Sequence, residues 1–168
     1  MKTVREGTLR IHVPEGISIK RFDGEQHGLC HCMKAVDFIL DVGESYIFLE
    51  IKDPWPERSR GKSSQSWVKK FLSGSIDEDL KYKYRDSFLY AWASEQAGKP
   101  IDYYVLVAID TLSEAELLHR TDELKRKLPV EGPKTGIWKR RIVRRCVVFN
   151  LSTWNRIMKD YPIDRVMD

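Results

Sequence analysis

Cysteine is scarce in this chain: there are three in 168 residues, and two of them, Cys30 and Cys32, are one residue apart. So sparse a set argues against a disulfide framework and makes a reducing cytoplasm the expected compartment. Long hydrophobic runs are missing as well. The apolar stretches are strand-sized, well short of the ~20 residues that span a bilayer. The opening MKTVREGTLR lacks the apolar stretch of a secretory signal. Charge of one sign is also lacking, because 29 basic against 25 acidic residues leave only +4. That surplus identifies no partner by itself. No repeat, low-complexity tract or Gly/Ser linker divides the chain, so residues 1–168 are expected to form one domain.

The charge that is present is unevenly placed. Lys134, Lys139, Arg140, Arg141, Arg144 and Arg145 follow one another with no acid between them, as do Arg58, Arg60, Lys62, Lys69 and Lys70. Each block offers positive charge to a phosphate backbone, and each would equally describe a solvated surface.

Hydrophobic periodicity predicts strands over 8–13 and 17–22, closed by Pro14-Glu15-Gly16 and Asp23-Gly24. Stronger runs follow at 33–42 and 46–52, parted by Gly43-Glu44-Ser45 and stopped by Pro54-Trp55-Pro56. A helical turn fits 67–72. An amphipathic helix fits 77–97, with Leu80, Tyr84, Ser87/Phe88 and Ala91 inward, ending at Gly98 and Pro100. Residues 101–109 read as a buried strand. Ser113 and Glu116 form a capping box for a helix that ends before Pro129. A strand over 142–149 and a short helix capped by Ser152 complete a β-β-β-β-α-β-α-β-α order. The fold class is α/β or α+β, with a mixed central sheet flanked by helices.

The chemistry lies in the hairpin. A two-residue type II′ turn wants glycine first, and Gly43-Glu44 supplies it. Val42 then faces Ser45, Asp41 faces Tyr46, Ile39 faces Phe48, and Asp37 faces Glu50. Lys52 shares the pleat face of Glu50. The other face carries Leu40/Ile47, Phe38/Leu49 and Val36/Ile51. Carboxylates about 5 Å apart repel by about 3 kcal/mol at an effective dielectric near 20. A raised pKa, a neighbouring cation or a bound divalent ion must offset that. A wider turn would slip the register by one and send Asp37 to the opposite face.

Val36-Asp37-Phe38-Ile39-Leu40, a turn, then Phe48-Leu49-Glu50-Ile51-Lys52, a helix and a strand resemble the PD-(D/E)XK nuclease superfamily over residues 17–110. The resemblance implies a restriction-endonuclease-like αβββαβ-type core and an Mg²⁺- or Mn²⁺-dependent endonuclease hydrolysing phosphodiester bonds, in DNA rather than RNA. Asp37, Glu50 and the carbonyl of Ile51 would hold metal, and Lys52 would orient or help deprotonate the attacking water. Dimers are common among such nucleases, because a duplex has two strands to cut. Ala35-Val36 stands where a proline often precedes the Asp. A leading helix is not visible before Ile17, so any further acid would be Glu15 or Glu25. The rival expectation is a non-catalytic nucleic-acid-binding or protein-interaction module on the same fold.

Other residues have two readings each. His27, Cys30, His31 and Cys32 could ligate zinc, but the spacing is wrong and no second pair follows, so a structural role is expected. A thiol nucleophile there has no orienting third group, and Cys146 falls in a strand. Lys81 and Arg85 could touch phosphate from the long helix or simply face solvent, with Tyr84 in the core. Trp55 could stack on a base or plug the core edge. Arg140, Arg141, Arg144 and Arg145, read on a strand, would lie on both its faces and present themselves from near an edge to nucleic acid.

Overall fold

The computed structural model describes residues 1–24, 28–54, 62–136 and 138–166, with the backbone alone for 62–64. Trp55, Arg58, Arg60, His27 and Glu25, and the side chain of Lys62, lie outside the described residues. The described residues form eight strands and four helices: β1 (Lys2–Glu6), β2 (Leu9–Val13), β3 (Ser18–Arg21), β4 (Phe38–Asp41), β5 (Tyr46–Lys52), α1 (Lys62–Leu72), α2 (Asp77–Ala93), β6 (Ile101–Val107), α3 (Glu114–Lys127), β7 (Arg145–Phe149), α4 (Leu151–Ile157) and β8 (Ile163–Arg165). None of the helices is long and apolar enough to cross a membrane.

A five-stranded mixed sheet runs β3-β4-β5-β6-β7, and a separate antiparallel sheet runs β1-β2-β8. The large sheet is antiparallel through β3, β4 and β5, then parallel through β6 and β7. Alternation along β5 sends Phe48 into the core shared with Phe71, Leu80 and Tyr84 of the helices. Ile47, Leu49 and Ile51 go to the core shared with Leu9 and Ile11 of the small sheet and Trp154 of α4. Coverage on both faces explains why β5 and β6 are almost wholly apolar. On the small-sheet side Tyr104, Phe149 and Trp154 meet edge to face, and the Trp154 indole donates to the Tyr161 carbonyl at 2.6 Å.

The hairpin register is the expected one over Phe38–Asp41, and the ladder ends there, so the expected Asp37/Glu50 and Val36/Ile51 pairs are not strand partners. Phe38, Ile39, Leu40 and Asp41 oppose Leu49, Phe48, Ile47 and Tyr46. In the turn Val42 N–H donates to the Ser45 carbonyl at 3.0 Å, and Gly43 takes φ +91°. A Cβ on Gly43 would meet nothing within 4 Å, so its replacement is a matter of backbone strain alone. Gly43→Val is therefore expected to cost about 1–3 kcal/mol, read as a lower urea midpoint with an unchanged m-value.

Several boundaries differ from expectation. The run from Met33 is not strand until Phe38, because the amide N–H groups of Lys34 and Val36 donate to Asp86 Oδ2 and Ser87 Oγ of α2. Val36 accordingly packs in the helix-side core rather than opposite Ile51. The long helix stops at Ala93, where the Ser94 N–H and hydroxyl both bond back to the Tyr90 carbonyl. The last helix is capped by Asn150, whose side chain accepts from Thr153 N–H at 2.8 Å, and Ser152 lies within its first turn. Residues 142–144 precede β7 instead of belonging to it. The Ser113–Glu116 capping box is present as read.

Candidate metal and phosphodiester site

Asp37 sits one residue before β4, and Glu50 lies near the end of β5. Both are buried, Glu50 completely. The Asp37 carboxylate reaches across to the neighbouring strand, where Oδ2 accepts the Ile51 N–H at 2.6 Å. Glu50 alternates with Ile51 and so points to the helix side, beneath α2. Lys52, two residues on, turns back along the same face and places Nζ 2.9 Å from Glu50 Oε1. The structure thus brings Asp37, Glu50 and Lys52 together, and the Ile51 amide ties the two strands at that level.

Helix α2 adds two residues that the sequence reading missed. Lys83 Nζ lies 2.7 Å from Glu50 Oε1 and 3.7 Å from Asp37 Oδ1. Asp79, one turn earlier, has Oδ2 3.7 Å from Lys52 Nζ and also pairs with Lys34. The signal was present, since each directly precedes an inward residue of the helix, Leu80 and Tyr84. Which strand residues they would meet depends on how α2 docks. Lys81 and Arg85, the helical residues singled out from sequence, are engaged elsewhere. Lys81 pairs with Glu78, and both bases lie near the Tyr82 ring, at 4.9 and 5.9 Å from its centroid.

Burial is the main force on Asp37. With the nearby Glu50 charge, it pushes this carboxyl up to about 7, against the opposing pull of Lys83 and the Ile51 N–H. Burial alone would depress Lys83, yet Glu50, Asp37 and Asp79 outweigh it and hold the ammonium above its ordinary value. Burial would likewise raise Asp79, but Lys34, Lys52 and Lys83 keep it low.

Asp37→Asn keeps an acceptor for the Ile51 N–H while removing the charge. The wild-type carboxyl, at about 7 when folded against an ordinary 3.8, holds its proton in the folded state but not in the unfolded state between those values. Stability of the metal-free wild type therefore falls as pH rises from about 4 to 7. The variant escapes that loss. It is expected to be more stable than wild type by on the order of 2–4 kcal/mol at pH 8 and nearly equal at pH 4. Urea unfolding in EDTA at both pH values checks this.

The donor set suits a hard divalent cation in part. Both Lys52 and Lys83 crowd Glu50 Oε1 as ion contacts without hydrogen-bond geometry, and the buried Oε2 has no donor among the described residues. An orphaned, fully buried carboxylate oxygen beside a second carboxylate is what Mg²⁺ uses, since it takes one or two protein carboxylates and completes its shell with waters and phosphate oxygens. No cluster of three His, Cys, Asp or Glu suited to a metal occurs among the described residues. Cys30 and Cys32 are exposed and Cys146 is buried, and no disulfide joins them.

A groove of 660 Å³ opens at the end of β5, bounded by Lys52, Asp53 and Pro54, the Gly7-Thr8 turn, and Trp67 and Lys70 of α1. It connects Lys52 to the outside. Asp53 is held in its wall by Arg165 and the Thr8 hydroxyl. The basic residues further along the chain lie away from this groove. Arg144 makes a bidentate pair with buried Asp102 at 2.8 and 2.6 Å, and Arg140 donates to the Ala97 carbonyl at 2.6 Å. Both arginines, with Arg141, lie at the opposite ends of β6 and β7 from Lys52. No protein-family model, curated protein or solved structure matches the chain.

Proposed function

We propose that this protein is a metal-dependent nuclease with a PD-(D/E)XK-like site and a restriction-endonuclease-like core, acting on nucleic acid, DNA before RNA. One observation carries the reading. Two acids, one just before β4 and one in β5, are buried beneath α2 with a lysine beside them, and one Glu50 oxygen is left without a donor. A purely structural pair would be expected to satisfy every buried oxygen.

Asp37 and Glu50 would hold Mg²⁺ or Mn²⁺, with the Ile51 carbonyl as a further ligand. Such an ion, when bound, acidifies water and neutralises charge on a phosphate. The chain's own residues do the rest. The Ile51 N–H fixes the Asp37 carboxylate by Oδ2, leaving Oδ1 3.7 Å from Lys83 Nζ, the ammonium that also meets Glu50. Lys52, at the mouth of the groove, positions a water and stabilises negative charge on the phosphate. Lys70 and Trp67 on the far wall would flank a strand lying there.

A second reading, a non-catalytic module, is favoured by Lys83. Its ammonium faces both acids, so the three carboxylates Asp37, Glu50 and Asp79 are already matched by Lys34, Lys52 and Lys83. Plasmid and single-stranded substrates with Mg²⁺ or Mn²⁺, against an EDTA control, separate the two. Metal-dependent cutting supports the nuclease, and binding without cutting supports the module.

A further inference from the structure

At the other end of α2, away from the carboxylates, a second groove is cut between the C-terminal half of that helix and the segment leading into β7. It comprises adjoining hollows of 360 and 420 Å³ that share Phe88, Arg140, Arg141 and Ile142. Phe88 packs against the helix-side core and forms the floor. Leu89 and Trp92, one turn apart on α2, stand along the rim and are 53% and 59% exposed. A tryptophan that open on a helix end contributes little to folding, and here it stands beside two arginines.

The charge of this groove is one-sided. Lys99 and Arg144 also line it, but each is bound to a carboxylate, Asp41 and Asp102 respectively. Arg140 and Arg141 are exposed, and neither has an acidic partner among the described ion pairs; Arg140 is steadied by the Ala97 carbonyl. The groove therefore presents uncompensated guanidinium groups beside an open indole and an apolar floor. Guanidinium groups suit phosphates, and an indole face suits a base. In a duplex the bases are already stacked on one another, so an aromatic platform gains most from an unpaired base.

We infer that this groove binds a single-stranded polynucleotide, with a base stacked on Trp92 and the flanking phosphates on Arg140 and Arg141. The inference rests on the nuclease reading only for preferring a polynucleotide over other polyanions. Trp92 lies about 14 Å along the α2 axis from Lys83. The groove would thus hold a strand a few nucleotides from the carboxylates rather than at them.

The test is fluorescence anisotropy with labelled 20-nucleotide single-stranded DNA, single-stranded RNA and duplex DNA. It is run in EDTA so that cleavage does not enter. Wild-type protein is expected to bind at least one single strand more tightly than the duplex, and the DNA and RNA arms identify the sugar. Trp92→Ala is expected to weaken that binding about 10-fold, and Trp92→Phe to retain most of it. Arg141→Glu is expected to weaken it by about 10-fold and to flatten the salt dependence by at least one phosphate contact. Both positions are exposed, so unchanged thermal midpoints should accompany the loss. Unchanged affinity in Trp92→Ala and Arg141→Glu, equal or tighter binding of duplex, or no oligonucleotide binding overturns the inference. If wild type cuts nucleic acid while these variants bind normally, the groove assignment fails and the nuclease reading stands. If binding depends on Trp92 and Arg141 but nothing is cut, the groove stands and the nuclease reading fails.

Discussion

On the nuclease reading, Lys52→Ala is expected to cut metal-dependent cleavage by about 10²–10³-fold, the scale of losing one preorganised charge at a reacting phosphate. Affinity for Mg²⁺, measured by calorimetry, should change far less, because Lys52 is not a ligand in the proposed arrangement. Glu50→Gln should abolish both, since it removes the anionic charge of the carboxylate whose oxygen has no donor. Lys83 then decides between catalysis and a closed ion-pair network. Its ammonium lies 2.7 Å from Glu50 and competes for the charge a metal would meet. On the nuclease reading Lys83→Met tightens Mg²⁺ binding several-fold, and Mg²⁺ restores the stability lost with the ion pair. On the network reading Lys83→Met destabilises the fold by leaving Glu50 buried with less compensation, and no divalent ion rescues it. Thermal unfolding with and without Mg²⁺ reads that difference directly. A wild type that never binds Mg²⁺ and never cuts, under conditions in which it binds nucleic acid, would remove catalysis from the account.

The hairpin was readable because two local rules agreed on it. Gly43 demanded a tight turn, and the two-residue period of the flanking runs then allowed one register in which apolar residues faced apolar residues. Asp37 and Glu50 came together as a consequence. Lys83 and Asp79 were hidden for a different reason. Helical phase shows that they border the buried stripe, but which strand residues they meet depends on where α2 crosses the sheet, a tertiary property. Arg144 misled in the same way, because its cation looked available until Asp102, from a strand read as buried, took it up. Two of the small sheet's three strands were missed. β1 is mostly exposed and β8 has three residues, so neither shows the alternation that marks a strand. β8 is held by pairing to β2 and by the Arg10–Asp164 contact, over 150 residues of chain. No window of local sequence carries such a signal.

The second large effect concerns the clamp that sets α2. Asp77, in the first turn of α2, and Arg120, in α3, are 2% and 3% exposed and bonded to one another. The guanidinium also lies 5.8 Å from the Phe71 ring centroid, and Lys127 Nζ stands 4.0 Å from the carboxylate. Gly74 closes over the pair at φ +78°, where a Cβ would come 2.9 Å from Arg120 Nη2. The position of Asp77 at a helix N-terminus favours its charge. Its burial, however, makes the partner indispensable. Arg120→Ala is expected to cost about 3–5 kcal/mol, because it leaves a carboxylate in the core with only a distant ammonium. That is a large share of the 5–15 kcal/mol that typically holds a domain together. Asp77→Leu alone should cost a similar amount by stranding Arg120, whose Nε already has no acceptor among the described residues. The double variant Asp77→Leu/Arg120→Met should recover most of both losses, since no charge remains to be desolvated. Urea unfolding of wild type, Asp77→Leu, Arg120→Met and the double variant gives the coupling energy, and losses that simply add would refute the clamp. The same pair fixes where α2 begins, two residues before Asp79 and six before Lys83. In Arg120→Ala the contact of Lys83 with Glu50 should therefore loosen, and on the nuclease reading metal-dependent cutting should fall at temperatures where the fold is still intact.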